Sequence, residues 1–386
     1  MIEKFLFELL RISIGIRGEL SRQLTDVEWT ELHSECVRQN VLGIAFVGIQ
    51  RLPDEQLPPS ALYAKWKHEA EIIKERFDLI NKRYREACEI YEKQGVGCCV
   101  LMPSPAQVRG ERLEVSDQTE EIRGEGLEVS DQTEEVRDEG LEIRGGDPKD
   151  IDILCWTDKD KEGKRMVVEY VNFRYVASTH HIKPKVQRQH MDWNTGSFPV
   201  DVRFKFSYFN SPLHDRRFLA WVEEETFSVA PQKAECGYPV PSDAFNAVYQ
   251  LIHLYRKLFC EDLRLGHLYD YYMVLRSLPK SEHEEVMRVI GRLGMKKFAG
   301  AVMYVMQSVF AMPDEYLFCK PNPRNGSFVI SITMQAGEYT RAIERTRMLK
   351  HLGRIGHHLY WLKRNRPFLT QYPAEVCFEL YRRIRG

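Results

Sequence analysis

The sequence predicts a mixed α and β fold, either α+β or mixed α/β, with strands between two helical regions. Three observations lead to this prediction. Helical periodicity occupies the first 95 residues and the last third of the chain, while short apolar or alternating runs bounded by Gly and Pro occupy the middle. The length of 386 residues also exceeds one typical domain. We therefore expect three units, at 1–95, 96–240 and 241–386.

The first unit is predicted to be helical. Met1 to Ile16 is apolar but is interrupted by charged residues, which favours an amphipathic helix over a signal peptide. Trp66 to Glu92 alternates charged and apolar residues at helical spacing, and this pattern stops at Gly95. No segment approaches the roughly 20 apolar residues of a membrane helix. We therefore expect a soluble protein without a membrane partner.

The middle unit contains the predicted strands. Val96 to Met102 is an apolar run bounded by Gly and Pro, which predicts a buried strand. Ile151 to Trp156 predicts a second strand, and Met166 to Val176 fits either a strand or a helix. Phe198 to Phe206 alternates apolar and polar residues, as a half-buried strand does.

The C-terminal unit is helical in pattern, with segments at Ala244 to Phe259 and Leu263 to Leu278. In the first segment, His253 and Lys257 lie one helical turn apart, and Arg256 is close to both. These side chains either line a cleft between units or form a solvated helix face. Both interpretations remain open from the sequence.

A tandem repeat of 14 residues interrupts the middle unit. RGERLEVSDQTEEI at 109–122 is followed by RGEGLEVSDQTEEV at 123–136 and by a decayed copy that begins at Arg137. Each copy has few apolar residues among many acids, so we predict that 109–146 is a poorly ordered, solvent-exposed insertion without catalytic residues. This segment has 5 Arg against 13 Asp plus Glu, a net charge of −8, so the rest of the chain carries +7 of the total of −1.

Charge and cysteine content limit the class of protein. A net charge of −1 argues against broad nucleic-acid binding, while the positive remainder suits an anionic ligand. The nine cysteines are odd in number and match neither a disulfide framework nor a zinc site. A reducing cytoplasmic location is therefore expected. His180, His181 and His190 could bind a metal or phosphate, but they lack zinc-ligand spacing, which favours ordinary core or surface histidines.

Three carboxylates are the candidate metal ligands. In a strand, Asp150 and Asp152 share one face because side chains at i and i+2 lie on the same side. Asp201 lies on the polar face of its predicted strand and would complete a three-carboxylate site if that strand is a neighbour. Mg²⁺ prefers such oxygen ligands and relieves the repulsion between them. The alternative is that Asp-x-Asp is a chance surface motif and Asp201 the polar side of an ordinary strand.

Several segments match one known family in order. Lys149-Asp150-Ile151-Asp152 matches a Gly-Asp-Ile-Asp motif, Cys98 to Pro103 takes the place of a Leu-Lys-Gly turn, and Val200-Asp201-Val202-Arg203 matches a Glu-x-His strand. Helical segments at 249–261 and 265–272 follow. Over nearly its whole length the chain thus resembles the uncharacterised bacterial, minimal nucleotidyltransferase-like family of the DNA polymerase beta superfamily.

The resemblance implies a polymerase-beta-type nucleotidyltransferase core with a mixed sheet, flanked by the two helical regions. It also implies transfer of a nucleoside monophosphate from an NTP to a hydroxyl acceptor, with Mg²⁺ or Mn²⁺ as cofactor. Asp150, Asp152 and Asp201 would be the catalytic and metal-binding residues. The acceptor, whether a small molecule, a protein or an RNA end, is not specified by the sequence.

The candidate nucleotide-binding residues depart from the family pattern. Met102, Pro103 and Ser104 occupy the turn that in relatives offers backbone N–H groups to the triphosphate, and a proline has no N–H to donate. Arg203 and Lys205 follow Asp201 on the same polar face of its strand and are further candidates.

Two alternatives to a transferase remain. The first is a catalytically lapsed binding protein, which the Met102-Pro103 turn favours, as does Gly266 at a position where relatives carry Arg. The second is a partner module of a toxin and antitoxin pair, which rests on analogy of fold.

Overall fold

The computed structural model describes residues 2–93, 97–100, 151–156, 185–186, 190–194, 199–203, 209, 211–228, 232–233, 237–260, 263–336 and 365–385. The helices are α1 (Ile2–Ser13), α2 (Asp26–Arg38), α3 (Leu42–Gln50), α4 (Ser60–Lys93), α5 (Pro212–Ser228), α6 (Asp243–Cys260), α7 (Leu265–Ser277), α8 (His283–Arg292), α9 (Lys296–Phe310), α10 (Pro323–Met334) and α11 (Pro373–Arg385). The strands are β1 (Gly97–Val100), β2 (Ile151–Trp156), β3 (Lys185–Val186), β4 (His190–Asn194), β5 (Pro199–Arg203), β6 (Gln232–Lys233) and β7 (Pro239–Val240). The repeat at 109–146 and the segment Met166 to Val176 lie outside these residues.

The predicted mixed α/β fold class is wrong for the described part of the chain, which is mostly helical. Helices fill both ends of the sequence, and α4 alone spans 34 residues, whereas the longest strand has six. The physical reason is that apolar residues at helical spacing outnumber the short alternating runs, and helices that pack against each other supply most of the buried surface. The strands form a small sheet beside a helical body.

Helix α2 illustrates how local sequence sets a helix boundary. The hydroxyl of Thr25 accepts a hydrogen bond from the backbone N–H of Glu28 at 3.3 Å, and the Glu28 carboxylate accepts one from the backbone N–H of Thr25 at 3.0 Å. This reciprocal capping box satisfies two N–H groups that a helix start leaves without partners. Arg22 donates two hydrogen bonds to the same carboxylate, which lowers the pKa of Glu28 to about 2.

The N-terminal helices dock onto the C-terminal ones through Gln39, which is fully buried. Its side-chain Nε2 donates to the carbonyl oxygen of Thr333 at 3.0 Å, and its Oε1 accepts from the backbone N–H of Leu265 at 3.2 Å. The Gln39 carbonyl also accepts from the N–H of Gly266 at 3.0 Å. One apolar core, from Phe5 to Val376, therefore includes residues from both ends of the chain. The predicted division at 1–95, 96–240 and 241–386 stays a prediction.

The strands β1 to β5 form one sheet with the order β1-β2-β5-β4-β3. Strands β2 and β5 run parallel, while β1–β2, β5–β4 and β4–β3 are antiparallel pairs. The central pair thus joins segments that are far apart in sequence, and β1 and β3 lie at the two edges. Strands β6 and β7 form a separate two-stranded ribbon.

The last turns of α4 hold this sheet against the helical body. The Sγ of Cys98 in β1 lies 3.9 Å from the carbonyl oxygen of Cys88 in α4. Nearby, the Tyr84 ring of α4 contacts the Tyr238 ring at a centroid distance of 5.4 Å, and the Tyr238 hydroxyl donates to the Oδ1 of Asn81 at 3.3 Å. Helix α4 thereby fixes both β1 and the chain that leads into β7.

Helix α5, which follows β5 in the chain, packs on α6 through aromatic rings. Trp221 of α5 stacks on Phe245 of α6 at a centroid distance of 4.9 Å, and Phe245 stacks on Tyr249 at 6.0 Å. Large aromatic residues contribute much buried apolar area per side chain, so these contacts give α5 a stable position on the helical body. Among the helices of the described residues, none combines the length and apolar character that crossing a membrane requires.

Candidate active site

Two of the three candidate carboxylates occupy paired positions on the central strands. Asp152 of β2 and Asp201 of β5 are register partners in the parallel pair. Neighbouring strands lie about 4.8 Å apart, and paired residues occupy the same face of a sheet. The strand of Asp201 therefore lies beside the strand of Asp152, as a three-carboxylate site requires. Their role as metal ligands stays a prediction.

The pairing divides the residues of the sheet into two faces of different character. One face carries only apolar residues and cysteines: Cys98, Val100, Ile151, Ile153, Cys155, Val200, Val202, Met191, Trp193 and Val186. We call the opposite one the polar face: Asp152, Asp201, Arg203, His190, Asp192, Asn194 and Lys185, together with Gly97, Cys99, Leu154, Trp156 and Pro199. At β1 the apolar face lies against α4, where Cys98 meets Cys88.

An unbroken row of charged residues crosses the polar face. Asp192 of β4 is the register partner of Asp201, so Asp152, Asp201 and Asp192 lie side by side on three adjacent strands. Lys185 of β3 is paired with Asp192 and ends the row. Like charges directly opposite each other destabilise a sheet. Two such contacts in one row are therefore unfavourable unless a cation relieves them.

A second row lies one step along the strands. Arg203 of β5 is paired with His190 of β4 on one side and with Leu154 of β2 on the other, and Cys99 of β1 completes the row. Arg203 lies two residues after Asp201 and so occupies the same face. The polar face thus carries an acidic row and, beside it, a row with two basic residues.

The edge of the sheet at β1 is buried. Cys98 and Cys99 are 2% and 5% exposed, and Val100 is fully buried. Burial raises the pKa of the Cys99 thiol, because the thiolate loses its hydration there. A thiol that is both buried and held in its neutral form is a poor nucleophile. These cysteines therefore contribute to packing.

The remaining predicted site residues lie outside the described residues. They are Asp150, Met102, Pro103, Ser104 and Lys205. Asp150 directly precedes the first residue of β2, Ile151. His180 and His181 are outside as well, whereas His190 is the first residue of β4.

Gly266, at the position where the family carries an arginine, has a structural role in the helical unit. Gly266 lies in the first turn of α7, is buried, and donates its backbone N–H to Gln39. Before it, the backbone N–H of Arg264 donates to the Nδ1 of His267 at 3.1 Å. The start of α7 thus contacts the N-terminal helices through Gln39. On α6, the ring of His253 contacts that of His267 at a centroid distance of 6.4 Å.

Sequence reasoning missed two charged residues of the polar face, Asp192 and Lys185. The signal for Asp192 was present: His190-Met191-Asp192-Trp193-Asn194 alternates polar and apolar residues with the period of a strand. For Lys185 no comparable signal exists, because β3 has only two residues. Its place on the polar face follows from pairing with Asp192.

A family model matches part of the chain. The model of a family described as an uncharacterised nucleotidyltransferase matches residues 145–311, a range that begins before β2 and ends just after α9. No curated protein and no solved structure matches the chain. The match contains the sheet from β2 to β5 with Asp152, Asp192 and Asp201. It confirms the resemblance seen in the sequence: over these residues, the chain is similar to a nucleotidyltransferase family.

Proposed function

We propose that the protein transfers a nucleoside monophosphate from an NTP to a hydroxyl acceptor, and that Asp150, Asp152 and Asp201 bind the Mg²⁺ or Mn²⁺ that the reaction uses. The observation that carries this proposal is the register pairing of Asp152 with Asp201 within the segment that matches a nucleotidyltransferase family. Carboxylate oxygens are the ligands that Mg²⁺ prefers, so the residues present fit the ion.

The acidic row is easier to explain with a cation than without one. A sheet that served only as structure would gain about 0.2 to 1 kcal/mol from opposite charges at paired positions and would lose stability from like charges. Here, Asp201 has an aspartate at the paired position on each side. Local rules of this kind are most often broken where a site requires it. A divalent ion held by Asp152 and Asp201 would offset the repulsion.

The reaction would proceed by in-line displacement. The acceptor oxygen forms a bond to the α-phosphorus, the bond from that phosphorus to the bridging oxygen of the β-phosphate breaks, and pyrophosphate leaves with that oxygen. Asp201 accepts the proton of the acceptor hydroxyl. A bound divalent ion supplies neutralisation of the triphosphate charge and polarisation of the reacting oxygens. Asp150 and Asp152, at the start of β2 in the sequence, would hold that ion.

The test is calorimetric binding of each of the four Mg·NTPs to the full chain. We expect metal-dependent binding that Asp152→Asn and Asp201→Asn each weaken at least tenfold, because each removes one charged ligand. Asp54→Asn is the matched control, since Asp54 lies in an exposed 3-10 turn remote in sequence from the sheet. Binding that is equal in the wild type and in both site variants would refute the assignment.

A second function, binding of nucleotide without transfer, is favoured by one specific observation. The start of α7 is occupied by the contact between Gly266 and Gln39, where relatives carry an arginine. A chain that binds Mg·NTP but releases no pyrophosphate with any hydroxyl acceptor supplied would support this alternative. Pyrophosphate release that depends on Asp201 would exclude it.

A further inference from the structure

The polar face carries three basic residues that the proposed metal site does not use: Lys185, His190 and Arg203. Lys185 on β3 and His190 on β4 lie to one side of the Asp152 and Asp201 pair, and Arg203 follows Asp201 on β5. On the other side, the polar-face positions of β2 and β1 beyond Asp152 are Leu154, Trp156, Gly97 and Cys99. The described polar face is therefore acidic at its centre and basic toward β3 and along β5.

The placement of these charges differs from that of a structural sheet. Arg203 and His190 are directly paired, and the other residue paired with Arg203 is Leu154, so neither neighbour in its row is acidic. Two basic residues directly opposite each other are unfavourable whenever the histidine is protonated. The aspartates, in turn, are paired with each other. Lys185 offsets only the end of the acidic row, at Asp192. A cation would offset the paired Asp152 and Asp201, and an anion would offset the paired Arg203 and His190.

We propose that Lys185, His190 and Arg203 form the phosphate-binding part of the nucleotide site and hold the triphosphate on the side of the sheet toward β3. This inference rests on the proposed function, because it assigns the ligand of the same face. Arginine and lysine at such positions give charge-assisted hydrogen bonds to phosphate oxygens, and arginine can do so with two N–H groups at once. In this arrangement the β- and γ-phosphates lie beside the basic row, and the α-phosphate lies nearest Asp152 and Asp201.

The sequence after β1 is consistent with this site. A proline at position 103 removes one backbone N–H that could bind phosphate. A phosphate site formed from side chains of β3, β4 and β5 does not depend on that donor. The site therefore tolerates Met102-Pro103 in the chain.

The experiment measures binding of Mg²⁺-loaded inorganic tripolyphosphate, of Mg·ATP and of AMP to the full chain by calorimetry. Lys185→Gln, His190→Gln and Arg203→Gln should each weaken tripolyphosphate and ATP binding roughly tenfold or more, the effect of losing one charge-assisted hydrogen bond. Binding of AMP, which lacks the β- and γ-phosphates, should change little. Lys185→Arg keeps the charge and should retain most of the affinity, which separates charge from folding effects. Arg203→Lys keeps the charge but not the two-N–H contact, and should bind more tightly than Arg203→Gln and less tightly than the wild type.

Two matched controls come from the helices. Lys67→Gln on α4 and Arg288→Gln on α8 also remove one positive charge, from exposed residues paired with Glu71 and Glu285 on their own helices. They should bind tripolyphosphate like the wild type. Tripolyphosphate that does not bind the wild type, or binds the three site variants equally well, would overturn the inference. One outcome would uphold the phosphate site and reject the proposed transferase. In that outcome the three site variants lose tripolyphosphate binding, while Asp152→Asn and Asp201→Asn leave ATP binding unchanged.

Discussion

The side chain of Gln39 donates a hydrogen bond to the carbonyl oxygen of Thr333, a residue 294 positions later in the chain. The same side chain accepts from the backbone of Leu265, so one buried amide joins the end of α2 to the C-terminal part of α10 and the start of α7. Because Gln39 is fully buried, water cannot replace these bonds when the amide is removed. The N-terminal and C-terminal helices therefore depend on each other for stability.

Replacement of Gln39 is the first prediction. Gln39→Ala should lower the free energy of unfolding by about 1 to 3 kcal/mol, since it takes the acceptor from the buried N–H of Leu265. The carbonyl of Thr333 loses one hydrogen bond but keeps that from the N–H of Ala336. Urea denaturation followed by tryptophan fluorescence measures this change. Gln23→Ala, at an exposed position, is the matched control and should change stability by less than about 0.5 kcal/mol. Equal effects of the two substitutions would show that the docking contact contributes little.

A close approach between α1 and α3 gives the second prediction. A Cβ atom added to Gly48 would lie 2.6 Å from the carbonyl oxygen of Leu9, a backbone atom that cannot move without shifting α1. Gly48→Ala should therefore destabilise the protein by about 1 to 3 kcal/mol, despite the better helix propensity of alanine. Gly18→Ala is the control, because nothing lies within 4 Å of its added Cβ. Thermal unfolding followed by circular dichroism would show the difference, and an unchanged midpoint for Gly48→Ala would contradict the predicted clash.

The capping box of α2 predicts a pH dependence. Hydrogen bonds from Arg22, followed by that from Thr25, lower the pKa of Glu28 from 4.5 to about 2 in the folded chain. A lowered pKa of an acid contributes stability that is fully present above about pH 4.5 and is lost as the pH falls toward 2. The difference in urea midpoint between the wild type and Glu28→Gln should thus shrink over this range.

Arg22 provides the control for that measurement. In an Arg22→Gln background the largest cause of the lowered pKa is absent. The effect of Glu28→Gln should then vary less between pH 4.5 and 2. A difference between wild type and Glu28→Gln that stays constant from pH 6 to pH 2 would show that the carboxylate is not stabilised by folding.

Cysteine labelling is the fourth prediction. Cys377 is exposed on α11, whereas Cys36 and Cys99 are buried and burial raises the pKa of both thiols. Because the thiolate is the reactive form, a maleimide at neutral pH should modify Cys377 before Cys36 and Cys99. Peptide mapping by mass spectrometry would give the order, and labelling of Cys36 or Cys99 at the rate of Cys377 would contradict the described burial. In denaturant all three should react.

Deletion of the repeat is the fifth prediction, and it rests on composition. Residues 109–136 contain two copies of an acidic motif with few apolar residues, so ordering them would bury little apolar surface. Removal of these 28 residues should leave the melting temperature nearly unchanged. A large decrease would show that the repeat packs against the rest of the chain.

Part of the site was predictable because polar and apolar residues alternate along a half-buried strand. Ile151 to Trp156 and Phe198 to Phe206 contain β2 and β5, and the alternation assigned Asp152 and Asp201 to polar positions. The pairing between them was not predictable, because a parallel contact across 49 residues leaves no local pattern. The structure supplies that register.

The fold class was misjudged for a related reason. The strand patterns at the centre of the chain are as distinct in the sequence as the helical patterns at its two ends, although the strands that form are short. Contacts such as that between Gln39 and Gly266, 227 positions apart, join the helical regions into one core and have no signal in a single sequence. Local periodicity predicts elements, whereas it does not predict which elements dominate the packing.

The antiparallel pairing of β1 with β2 has a consequence for how this chain can change over generations. Val100 at the end of β1 is paired with Ile153 near the start of β2, so the segment of sequence between them is joined at both ends to adjacent strands. The entropy of closing such a segment rises only with the logarithm of its length, about 0.6 kcal/mol for each doubling. Duplication or loss of 14-residue copies between these strands therefore changes the length of the protein at little energetic cost. Copy number at this place is free to vary among descendants, while the strands on either side keep their register.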